Sequence, residues 1–178
     1  MELKEQFFKT KKIVKGRAIN FRVDTIVLPD KNLAEREYVE HPGAVCILPF
    51  VDSKRIVLVE QYRYPVKQAT LELPAGKLDK GESPLSCVRR ELIEETGFYA
   101  KKVKKIFSFW PTPAFSDEVI HIYTAHGLVE REKNPDKDEF INTHIMPIEK
   151  AFDLLKKEKI RDSKTVIALL LWYHLKNG

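Results

Sequence analysis

Cysteine is scarce in this chain: its 178 residues include two, Cys46 and Cys87, far apart and in no C-x-x-C spacing. That argues against a disulfide framework or a cysteine zinc site, and both read as small core residues. Long apolar runs are missing too. The most apolar tail segment, Val166 to Trp172, is too short to cross a bilayer and reads as a buried amphipathic helix. Met1 to Lys12 is charged and has no apolar stretch of the secretory kind, so a cytoplasmic, reducing compartment is the expectation. Internal repeats and low-complexity segments are absent. The five histidines, His41, His121, His126, His144 and His174, show no ligand spacing, so none is assigned a metal.

Apolar residues make up 43% of the chain, enough for a packed core at a length that suits one domain with a small N-terminal extension. The net charge of +5 raises the question of nucleic acid. The lysines, however, are scattered or in short clusters such as Lys101, Lys102, Lys104 and Lys105, and they alternate with acids. A solvated surface is the commoner meaning of that pattern, and it would equally favour a small phosphate-rich substrate.

Alternation over Phe7 to Leu28 predicts two strands with a turn at Gly16-Arg17, and the polar stretch Asp30 to His41 reads as loop. Ala44 to Phe50 is strongly strand-like, with Arg55 to Gln61 as its hairpin partner across Asp52-Ser53-Lys54. A short strand at Thr70 to Leu73 ends at Pro74. Ser83 as cap, Pro84 at the first helical position and Gly97 as stop frame a helix. Its apolar stripe, Leu85, Val88 and Leu92, lies beside an acidic one and leaves the carboxylates accessible. Strands near Val103 to Phe109, Glu118 to Ala125 and Phe140 to Met146 follow, then helices at Ile148 to Lys157 and Ser163 to Lys176. The order predicts an α+β (mixed α/β) sandwich.

Chemistry concentrates on the framed helix. Glu91, Glu94 and Glu95 share one face, where like charges cost roughly 0.2–0.5 kcal/mol per pair. Glu94 and Glu95 also sit at the negative end of the helix dipole, a further penalty of about 0.3–1 kcal/mol each. A hard divalent cation is the natural counterweight to such crowding.

The stretch Gly76, five residues, Glu82, seven residues, Arg90-Glu91-Leu92-Ile93-Glu94-Glu95-Thr96-Gly97-Phe98 resembles the Nudix box, with all nine defined positions filled. The resemblance runs from about Gly43 to Thr165 and implies a Nudix-type α/β/α sandwich with a mixed β-sheet and an N-terminal antiparallel β extension. It divides the chain into residues 1–42, a β-strand extension for dimerisation, and residues 43–178, the hydrolase domain. It implies Mg²⁺, or Mn²⁺, held by Glu91 and Glu95, with Glu94 a ligand or an orienter and the Ala75 carbonyl a further oxygen. Glu82 is either near the metal or ties the loop to Arg90, which holds the acids by ion pairing.

The flanks, Gln61-Tyr62-Arg63-Tyr64-Pro65 and Glu72-Leu73-Pro74-Ala75-Gly76-Lys77, are similar to the ADP-ribose pyrophosphatase branch. So is Pro111 to Glu118, with Ala114 where many members have glycine, and so are Lys137 to Ile141 and Asp162-Ser163-Lys164-Thr165. Arg63 then binds a phosphate or the terminal ribose, or is a strand-end surface arginine. Glu72 accepts from ribose or adenine, or simply faces outward. Glu118 contacts metal or substrate, or lies on the surface. Glu139 is the favoured water-activating carboxylate, with Asp136 and Asp138 as alternatives. Phe7, Phe8, Phe21, Tyr38 and Trp110 are candidates for adenine stacking, with core packing favoured for each. The implied activity is cleavage of ADP-ribose to AMP and ribose 5-phosphate by a homodimer. Alternatives are another nucleoside diphosphate sugar or a dinucleotide. A non-catalytic sensor would have lost a box carboxylate, and an RNA-processing hydrolase needs a clustered basic groove.

Overall fold

The protein is described by a computed structural model covering residues 2–133 and 139–177. The chain divides into two compact units, residues 1–43 with 110–119, and residues 44–109 with 120–178.

The first unit is built on an antiparallel sheet, β1 (Gln6–Lys15), β2 (Asn20–Val27) and β3 (Leu33–Glu40), with β2 in the centre. The turn expected at Gly16 is present, closed by a bond from the Gly16 N–H to the Ile19 carbonyl. The loop expected over residues 30–41 is instead largely strand β3. None of its side chains is buried and half are exposed, so it lacks the apolar alternation that marks a strand; pairing with β2 from Leu33 to Glu40 makes it one. The segment 110–119 adds to this unit through a bridge between Val39 and Ser116. Phe7, Phe8, Phe21 and Trp110 are exposed, so the favoured core role does not hold for them. Tyr38 is half-buried, its hydroxyl bonded to Asp24.

The second unit holds two sheets. One is mixed, in the order β7 (Ala75–Lys77), β4 (Ala44–Pro49), β9 (Ile120–Glu130), β8 (Phe98–Phe109), with β4 and β9 parallel. The other is antiparallel: β10 (Ile141–Pro147), β5 (Arg55–Arg63), β6 (Gln68–Glu72). The expected β4–β5 hairpin is therefore corrected. The two strands meet at a single Phe50–Ile56 bridge and diverge into separate sheets.

Every residue of β4 is buried, and its alternation sorts the core. Val45 and Ile47 pack with Cys87, Val88 and Leu92 of α1 (Pro84–Thr96). Cys46 and Leu48 pack with Ala151 of α2 (Ile148–Lys156) and Ala168 and Leu169 of α3 (Ser163–Asn177). Helices on both faces of β4 make the α/β/α sandwich. Both cysteines are free and buried. No helix is long and apolar enough to cross a membrane among the described residues.

Candidate active site

The local rules that frame α1 operate as written. Ser83 takes an extended conformation and its side chain accepts from the Ser86 N–H, Pro84 opens the helix, and Gly97 closes it at φ 73°. The face turned inward differs from expectation. Leu85 is exposed and Cys87 takes its place in the core, while Glu91 and Glu95 are 7% and 3% exposed. The carboxylates were expected to remain accessible; packing of α1 against β7 and β4 covers two of them.

Arg90 organises the acidic side. Its Nε and Nη2 donate to the two Glu82 oxygens at 3.0 and 2.8 Å, and Nη1 donates to Glu91 at 2.8 Å and Glu94 at 2.9 Å. Nη2 also reaches the Lys77 carbonyl. The planar fork is thus fully subscribed, something a lysine could not reproduce. Glu82 has a further donor in the Asp79 N–H, and Arg90 is the first of the contacts that hold its carboxyl down at about 2. Both Glu82 oxygens are committed to tying the loop to the helix.

Glu95 accepts from the Ala75 N–H at 2.9 Å. Gly76 is required here, because a β-carbon at that position would overlap the Glu91 carboxylate. Burial pushes Glu91 up to about 7, against the opposing pull of Arg90, and pushes Glu95 up to about 8. The Glu139 charge raises both, which places that carboxylate within electrostatic reach of the pair. Asp136 and Asp138 lie outside the described residues.

A second cluster surrounds Glu72, which is 2% exposed. Arg63 grips it with Nε and Nη2 at 2.8 and 2.7 Å, Thr70 donates at 2.6 Å and Lys164 at 2.6 Å. Glu72 therefore points into a protein cage and not outward, and its oxygens are already occupied. Burial would raise its carboxyl, but these donors outweigh burial and hold it at about 2. Glu118 belongs to the first unit, where its Oε1 lies 3.6 Å from His41 Nε2. The roles of Asp162, Lys164 and Thr165 around Glu72 and Leu73 were not legible from sequence, where only their family-like pattern stood out.

Among the described residues, no three His, Cys, Asp or Glu side chains form a ready-made cation cage. Arg90 draws Glu91 and Glu94 toward itself, and the Ala75 N–H draws Glu95. The donor set nevertheless fits a hard divalent ion. Among the described residues, Glu91 Oε2 and Glu95 Oε1 have no hydrogen-bond partner, and neither is a sealed, unsatisfied atom. Buried carboxylates pushed toward the neutral form are those a cation would recharge.

The NUDIX domain description matches residues 40–170. The chain is 42% identical to the methanol dehydrogenase activator of Bacillus methanolicus, over 93% of this chain and 90% of that one. It is 38% identical to the ADP-ribose pyrophosphatase of Bacillus subtilis (strain 168), over 94% and 91%. A solved ADP compounds hydrolase shares the fold at a TM-score of 0.86 and 22% identity, covering 100% of this chain and 97% of that one. With the box intact on α1 and most of the chain matched, this protein belongs to the Nudix hydrolase family.

Proposed function

We propose that the protein is a divalent-metal-dependent pyrophosphatase that hydrolyses ADP-ribose to AMP and ribose 5-phosphate. The observation that carries this reading is the pair Glu91 and Glu95, buried beside Ala75 and left short of positive charge by a single, saturated Arg90. Glu91, Glu95, Glu94 and the Ala75 carbonyl would hold Mg²⁺ or Mn²⁺. When bound, the ion neutralises diphosphate oxygens and lowers the barrier to attack by water. Arg90 and Glu82 keep the carboxylate side chains oriented, and Glu139, or one of Asp136 and Asp138, takes the proton from the attacking water. Arg63, with Nη1 left outside its pair with Glu72, offers that edge to a phosphate or ribose oxygen. Glu118 is assigned to substrate contact by resemblance.

Incubation with ADP-ribose and Mg²⁺ should release AMP, and chelator should stop it; no AMP with any divalent metal would refute the reading. A second reading is that another nucleoside diphosphate sugar or a dinucleotide is the better substrate, since the box sets the chemistry and the flanks choose the substrate. A panel of kcat/KM values decides between them.

We also propose a homodimer assembled through the first unit. Its sheet exposes Phe7 at 64% and Phe8 at 55% toward one end of the β1–β2 ladder and the paired Val14 and Phe21 toward the other, exposed apolar surface that favours a partner.

A further inference from the structure

The start of α3 is chemically tied to the end of β6. Asp162 caps the helix: its Oδ2 accepts from the Thr165 N–H at 3.0 Å and from the Thr165 hydroxyl at 2.6 Å. That hydroxyl in turn accepts from the Leu73 N–H at 2.8 Å. Lys164 donates to Asp162 Oδ1 at 2.8 Å and to Glu72 Oε2 at 2.6 Å. Glu72 then holds Arg63 through two parallel bonds.

The four ionised groups are two cations, Arg63 and Lys164, and two anions, Asp162 and Glu72. They balance. Side-chain exposure is 42% at Arg63 against 2% at Glu72, 13% at Lys164 and 17% at Asp162, so the arginine end is the most open to a ligand. Burial alone would favour a neutral Lys164 amine, but Asp162 and Glu72 outweigh it and keep the ammonium charged.

We infer that Lys164 is a positioning residue for substrate: bridging Asp162 and Glu72, it locks Glu72 so that the Arg63 guanidinium is presented in one orientation. This inference rests on the pyrophosphatase reading, in which Arg63 contacts the substrate. Without the Lys164 charge, Glu72 and Asp162 share one cation fewer, Glu72 loses its anchor to α3, and Arg63 is free to follow it. The preorganisation lost would appear in substrate binding, while the acidic helix loses only the pull of the Lys164 charge on Glu95, a change that does not weaken its hold on a cation.

The test is a double-variant cycle with K164M, which keeps an unbranched side chain one atom shorter and removes the charge. Kinetics are read on whichever panel substrate the wild type turns over best, so failure of ADP-ribose overturns the substrate reading without touching this one. K164M should raise KM about tenfold, with kcat and the half-saturating Mg²⁺ concentration within about threefold of wild type. In an R63A background, adding K164M should change KM less than about twofold, because the residue it positions is gone. Full additivity on R63A, or a parallel loss of kcat and metal affinity, would overturn the inference. Should K164M fail to fold, T70V removes another Glu72 donor and must show the same non-additivity with R63A. Additive behaviour of T70V would count against the inference equally.

Discussion

Arg90 sets the electrostatic state of the acidic helix face. One guanidinium faces the carboxylates of Glu82, Glu91 and Glu94, leaving an excess of negative charge that Glu95 increases. Glu95 is the more exposed to the consequence, since it is nearly sealed and has only a backbone N–H as partner. E95Q should reduce kcat at least a thousandfold if Glu95 is a ligand, while melting at or above the wild-type temperature in chelator, because folding no longer has to protonate or bury an ionisable carboxyl. The Mg²⁺-induced rise in Tm should shrink in the same variant. Near-normal kcat at saturating metal would show that the ligand assignment is wrong. G76A makes the complementary case. The added methyl displaces the Glu91 carboxylate, the far end of a flexible side chain, so activity should fall by more than a hundredfold while thermal unfolding shifts only modestly. Equal loss of fold and activity would point to a backbone role for Gly76 instead.

At the scale of elements, the junction of β6 with α3 is a densely bonded joint that sequence reading left unexplained. Glu72 is held at about 2, below its ordinary value near 4.5, so its contribution to stability is fully present above about pH 4.5 and is lost as pH falls toward 2. Its size is at most on the order of 3 kcal/mol at neutral pH. E72Q should therefore unfold more easily than wild type at pH 7. The difference should narrow as pH drops from about 4.5 toward 2; a constant gap across that range would mean that packing, not charge, explains it. The helix start at Ser83-Pro84 and the stop at Gly97 were legible because capping is decided within four residues. Strand β3 was not, because its edge position exposes both faces and only pairing with β2 defines it.

For the whole molecule, the distribution of apolar surface carries the main expectation. The first unit presents phenylalanines to solvent in positions where a monomeric protein usually places polar residues. If that sheet is the dimer surface, F8E should shift the protein from dimer to monomer in sedimentation, with Phe7 left to confirm the site by a second substitution. A wild type that stays monomeric at all accessible concentrations would remove the dimer proposal.

The sequence by itself determined the chemistry-bearing helix, its caps, the box that places the chain in its family and the layered mixed α/β character. Those features depend on residue identity and short spacings, which survive without knowledge of distant contacts. Only the tertiary structure decided which carboxylates are buried, that Glu72 faces a cage of donors, and that β4 and β5 part into different sheets. Each of these depends on groups brought together from distant parts of the chain, as when Lys164 meets Glu72, and local patterns carry no record of such meetings.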